Sequence, residues 1–183
     1  MRFNENKATQ SAAYFLNLRG GRMHYLKLIK LLYLADREAL LRWGVPITTD
    51  RYVSMDHGPV VSNIYNLITD ETAEKPHWAT YISPPIGEYE VELIKQAPTS
   101  LLSIAEEKLM SEIFDKYGHM YRFRIVDDVC HRLPEWKGKQ GTSIPISICE
   151  ILRFEGEDDE EIHAIEREIE ATDLDDERFL RYA

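Results

Sequence analysis

From Arg22 to Trp43 the chain is apolar almost all the way round a helical wheel, and this run constrains the fold more than any other segment. Leu26, Ile29 and Tyr33 recur at helical spacing, and Leu28, Leu31, Leu32, Leu34 and Ala35 widen the apolar surface. Gly44 and Pro46 stop the helix. Lys27, Lys30 and Arg37 leave only a narrow polar stripe. A helix this apolar must be covered on most sides, so it is expected at the centre of its domain. The interspersed charges are costly in hydrocarbon, and no apolar run approaches the ~20 residues that span a bilayer.

Around that helix the pattern predicts an α+β fold, mainly α-helical with a small antiparallel β-sheet, as a single domain plus an acidic C-terminal helical arm. A first helix is expected over about Lys7 to Leu18, with Ala8, Ala12, Phe15 and Leu16 on one face, ended by Gly20-Gly21. An extended piece, Arg51 to Met55, leads to Asp56-His57-Gly58-Pro59, where Pro59 suits the first position of a helix running to Ile68. Trp78 to Ile82 and Glu88 to Lys95 read as two strands of a hairpin joined by Pro84-Pro85-Ile86-Gly87. In the second, Tyr89, Val91 and Leu93 alternate with Glu88, Glu90 and Glu92, which predicts one dry and one wet face. Ser103-Ile104-Ala105-Glu106 and Ser147-Ile148-Cys149-Glu150 both have capping-box spacing and open two later helices. A further helix is expected over about Phe123 to His131.

The net charge of −10 becomes informative once it is located. Residues 155–183 hold thirteen Asp and Glu against three Arg, a net of −10, whereas residues 1–154 hold nineteen of each sign. The boundary this suggests is a globular domain over 1–154 and an acidic arm over 155–183. A neutral body and an acidic arm oppose nucleic-acid binding through the overall field and favour a basic partner surface. The arm also carries Ile162, Ile165 and Ile169 at helical spacing, followed by Phe179 and Leu180, so Glu160 to Ala171 is a candidate amphipathic helix. The N-terminus lacks the apolar stretch of a secretory signal, and a cytoplasmic address is expected. Cys130 and Cys149 lack the paired spacing of a metal knuckle and are expected as buried free thiols.

Signals for chemistry are weak. There is no Gly-rich phosphate loop, no nucleophile elbow and no His-Glu-x-x-His helix, so no cofactor, metal or catalytic residue is assigned. Asp127 and His131 lie one helical turn apart, a spacing that suits two metal ligands or an oriented imidazole. The plainer reading, a helix-end histidine with a salt partner, is favoured because no complete ligand set accompanies the pair. His57, Gly58 and Pro59 can form a binding turn, but a turn that simply serves the fold is the favoured reading, since such turns are common among connections. Arg122, Arg124, Arg132, Lys137 and Lys139 interleave with Tyr121, Phe123 and Trp136. Such a stretch can stack on single-stranded nucleic acid, although a solvated helix face or a dock for the acidic arm fits better.

Several ordered segments resemble the Panacea domain of SocA-like antitoxins and phage-associated proteins. They are Lys27-Leu28-Ile29-Lys30-Leu31-Leu32-Tyr33-Leu34-Ala35-Asp36, Gly44-Val45-Pro46-Ile47 and His57-Gly58-Pro59-Val60-Val61. His131-Arg132-Leu133-Pro134-Glu135-Trp136-Lys137 is similar to the family's His-x-x-x-Pro-Trp element with Glu135 inserted, and Ile144 through Glu150 to its closing segment. The likeness spans about residues 7–154 and leaves the arm outside. It implies a non-enzymatic antitoxin-like module that neutralises a cognate toxin by direct binding, the toxin being expected to be basic. An alternative is a proteolytic adaptor that delivers a partner to a protease, and a metal-dependent hydrolase is a more distant one. The motif residues Lys30, Tyr33, Asp36, His57, Gly58, Pro59, His131 and Trp136 are the partner-binding candidates, with Ile162, Ile165, Ile169, Phe179 and Leu180 in the arm.

Overall fold

A computed structural model describes residues 2–138, 141 and 143–182, with the side chains of all of these except 170 and 172–182. The chain opens with α1 (Glu5–Leu18), whose first turn is capped by the Asn4 side chain. Gly20 and Gly21, both at positive φ, turn the chain into β1 (Arg22–His24). The long apolar helix, α2, therefore runs over Tyr25–Trp43 and not from Arg22 as the pattern predicted. Its start is set by His24, whose Nδ1 accepts from the Leu26 N–H at 3.2 Å. Its end is set by Gly44 in the left-handed conformation.

Beyond it, β2 (Tyr52–Met55) and β3 (Gly58–Val61) form a tight hairpin around Asp56-His57. This corrects the expected helix start at Pro59: the helix, α3 (Ser62–Thr69), begins three residues later. Gly58 at φ +92° bends the chain back as a strand, and β3 lies at a sheet edge, where a proline is tolerated. The N-terminal N–H groups of α3 are held from a distance by Asp50, which accepts from Asn63 N at 2.8 Å and Ile64 N at 2.9 Å.

The segment read as a first hairpin strand is a short helix, α4 (Trp78–Tyr81). Glu5 Oε1 accepts from both His77 N and Trp78 N, and that anchor starts a helical turn which buries Trp78. Its intended partner, β4 (Glu90–Glu92), pairs antiparallel with β1 instead. Only a bridge between Ile82 and Leu93 remains of the expected pairing. Val91 is buried as expected, but Tyr89 is turned outward at φ +68° and is 60% exposed.

Then follow α5 (Ile104–Tyr117), with its capping box formed, and α6 (Arg122–Asp128), which passes into a 3-10 turn over Cys130–Arg132. β5 (Ile144–Ile146) adds to β2, giving the sheet order β3-β2-β5 beside the separate β1-β4 pair. Next comes α7 (Ile148–Glu155), also with a complete capping box. The last element is α8 (Asp159–Tyr182).

The architecture is α+β and mainly helical, in one domain, with all described strand pairs antiparallel. α2 is its axis, touching α1, α3, α5, α6, α7, β1 and β3. Leu28, Ile29, Leu31, Leu32 and Leu40 are fully buried there. Among the described residues no helix is long and apolar enough to cross a membrane.

Candidate functional site

The stripe expected to be the wet side of α2 is inside the protein. Lys27, Lys30 and Arg37 are all buried, each with a partner brought by a different part of the chain. Lys27 Nζ donates to the Met120 carbonyl and Lys30 Nζ to the Pro59 carbonyl, both at 2.7 Å. Burial lowers the pKa of Lys30 to about 8, since a buried ammonium loses hydration that one carbonyl does not replace. Tyr33 donates its hydroxyl to Glu135 at 2.7 Å. Arg37 Nε donates to the same Glu135 oxygen at 2.8 Å, and its Nη2 reaches Glu155 at 2.5 Å. Burial alone would lower the pKa of Arg37, but the bonds to Glu135 and Glu155 raise it above its ordinary value.

Asp36 is fully buried and accepts from Thr48 N at 2.8 Å, from the Thr48 hydroxyl and from the Tyr52 hydroxyl at 3.2 Å. Those bonds favour the carboxylate, yet burial outweighs them and raises its pKa to about 7. Lys30, Tyr33 and Asp36 are therefore internal ties from α2 to β3, to the 133–137 loop and to the strand-leading segment at Thr48. In the sequence Glu135 stands out only as an insertion between Pro134 and Trp136. It is 1% exposed and is the joint on which Tyr33 and Arg37 converge.

The hairpin turn at His57 sits against the same layer. A Cβ on Gly58 would lie 2.8 Å from Cys130 Cβ, so this close approach requires glycine as well as the positive φ does. Cys130 is buried, and burial pushes its thiol up to about 11. His131 stacks on Trp136 with ring centroids 3.8 Å apart, and Trp136 Nε1 donates to the Met55 carbonyl at 3.0 Å. One His131 nitrogen lies 3.5 Å from Asp127 and the other 3.2 Å from the Asp56 carbonyl. The pair is thus a clasp between the 3-10 turn and the β2–β3 hairpin. Among the described residues no three His, Cys, Asp or Glu side chains gather where a metal ion could be held.

Within the basic stretch, Arg124 and Arg132 both pair with Asp128, and Lys137 pairs with Glu150. Lys139 lies outside the described residues. Arg122 is different: its guanidinium carbon stands 5.0 Å from the ring centroids of both Tyr121 and Phe123. Its Nε is buried with no hydrogen-bond partner. Beside it opens a cleft of about 570 Å³, lined by His57, Lys30 and a set of aromatic rings including Tyr25, Tyr65 and Phe123. Lys30 and His57 belong to two separate segments of the family pattern, and nothing in the sequence signals that Tyr25, Tyr65, Tyr89 and Arg122 meet them.

The arm begins as part of the body. Ile162 is 1% exposed within the core, and Ile165 packs beside it, with its side chain close to Gly44 at the end of α2. Ile169 is half-buried, and the side chains of Phe179 and Leu180 lie outside the described residues. Cys149, expected to be buried, is only partly so, and its thiol donates to Glu166 of α8 at 2.5 Å. Burial, then the Glu166 carboxylate, pushes that thiol up to about 11. α8 packs against α7, and its Ile165 side chain lies close to Gly44.

The family model described as antitoxin SocA-like, Panacea domain, matches residues 28–137, from the first turn of α2 through the loop that carries Glu135 and Trp136. No curated protein and no solved structure matches the chain. The matched stretch is more than half of the sequence and contains the α2 motif, the His57-Gly58-Pro59 hairpin and the His131–Trp136 clasp, so the chain belongs to the SocA-like antitoxin family through its Panacea domain.

Proposed function

We propose that the chain is a non-enzymatic antitoxin that neutralises one cognate toxin by direct binding, and that this toxin presents a basic surface to α8. The observation that carries the reading is the use of the motif residues. Lys30, Tyr33, Asp36, His131 and Trp136 have their polar groups engaged inside the protein, holding α2 to the hairpin and to the 133–137 loop. A shared scaffold whose motif residues are internal leaves partner choice to the surface. On that surface the most strongly charged element is α8 with its exposed Asp159, Glu160, Glu161 and Glu168. Opposite charge across an interface of this kind speeds encounter and selects the partner.

The test is co-expression with the product of the gene adjacent to this chain's own. That product alone should arrest growth, and this chain should restore growth while the toxin's cellular level stays constant. Restoration accompanied by a fall in toxin level would replace direct neutralisation with delivery to a protease. Growth arrest that this chain leaves untouched would remove the antitoxin reading for that pair.

A further inference from the structure

The cleft between α2, the β2–β3 hairpin and the start of α6 combines two kinds of recognition that the scaffold role leaves unused. One is cationic. Arg122 makes no ion pair among the described residues, and its buried Nε has no acceptor. A buried donor without an acceptor costs about 1–3 kcal/mol, so the position is unfavourable unless something fills it. Lys30, fully buried behind the same wall with its Nζ donating to the Pro59 carbonyl, adds positive charge near the cleft without reaching into it. The negative group among the lining residues is Asp56, whose Oδ1 already accepts from the Gly141 N–H at 3.0 Å. His24 and His57 complete the titratable lining.

The other kind is planar and apolar. Tyr25 and Tyr89 meet edge-on with centroids 5.8 Å apart, and His24 stands 5.9 Å from Tyr89. Across the cleft Phe123 faces His57 at 6.4 Å, and Phe123 is still 42% exposed. Tyr89 is held in the left-handed backbone region, which a side chain of this size adopts at a cost of about 1–3 kcal/mol. That conformation sets the Tyr89 ring at the rim beside Tyr25. The volume of about 570 Å³ falls within the range of small-molecule sites, ~300–1,000 Å³.

We propose that this cleft binds a mononucleotide, its base stacked against Phe123 and the Tyr25–Tyr89 pair and its phosphate held by the terminal nitrogens of Arg122. A guanidinium offers paired donors that match phosphate oxygens, and a flat base gains from every aromatic face it meets. The site is independent of toxin binding, so the titration below reads out whether or not the chain neutralises a toxin. The purified full-length chain is titrated calorimetrically with AMP, GMP, CMP and UMP, and with adenosine and inorganic phosphate as separate probes. At least one mononucleotide should bind with a Kd below ~1 mM, and adenosine and phosphate should each bind at least about tenfold more weakly.

Arg122→Gln should weaken that nucleotide by about tenfold or more, and Phe123→Ala by several-fold, with unchanged melting temperatures showing that both variants fold. If Arg122→Gln lowers the melting temperature, Arg122→Lys keeps the charge and should bind with intermediate affinity. Absence of binding by all four nucleotides at ~1 mM would overturn the proposal. So would equal binding of inorganic phosphate, or an affinity indifferent to both Arg122 and Phe123.

Discussion

Arg37 and Glu135 show why removing one partner of a buried pair is worse than removing both. The Glu135 carboxylate is shielded from water and relies on Arg37 and Tyr33. Arg37→Met should destabilise the protein by about 3–5 kcal/mol in urea unfolding, because an uncompensated charge stays buried. Adding Glu135→Leu to that variant should recover most of the loss, and a simple sum of two losses would refute the pairing. Asp36 gives a pH signature. Its folded pKa, about 7, lies above its ordinary value of 3.8, so between these values the folded state holds a proton that the unfolded state releases. Stability should therefore fall as pH rises from about 4 to 7, by at most about 1.4 kcal/mol per unit for one proton. Asp36→Asn should flatten that slope relative to the parent, and an unchanged slope would assign the titration elsewhere. Lys30, Tyr33 and Asp36 were visible in the sequence as a motif, but not their burial. A helical wheel shows which face is charged, and only the partners supplied by Pro59, Glu135 and Thr48 reveal that the face is internal.

At the scale of elements, strong periodicity and caps were legible and pairing was not. α2, α5 and α7 follow directly from apolar spacing, from Gly44 and from two capping boxes that form as their spacing implies. The Trp78 segment failed as a strand because a carboxylate 73 residues earlier caps it as a helix, a contact no local window contains. β4 kept its dry Val91 but took β1 as its neighbour, since alternation identifies a face and not a partner. α8 is the element on which the proposed toxin contact rests. Its spacing of Ile162 and Ile165 predicted an apolar stripe, and those residues pack with the body beside Gly44. Ile162→Ala should cost about 2–5 kcal/mol of stability, whereas Ala164→Ser on the exposed side should change it by less than ~0.5 kcal/mol. Equal, small effects would mean that α8 does not dock through this face.

Over the whole molecule the charge is unevenly placed. The neutral body carries the family's scaffold, and most of the acidic excess sits in residues 155–171, next to the docked turns of α8, rather than at the far end. That placement would leave the excess beside the body's surface, where a bound partner would meet both. Glu160→Gln, Glu161→Gln and Glu168→Gln together should leave stability nearly unchanged and weaken toxin binding, with a smaller dependence on salt. The most direct measurement is light scattering on a sizing column, with purified toxin and purified full-length chain mixed at equal concentration. A single peak at the mass of a stoichiometric complex, in which the toxin has lost its activity, is the predicted result. Two separate peaks with a fully active toxin would contradict neutralisation by binding.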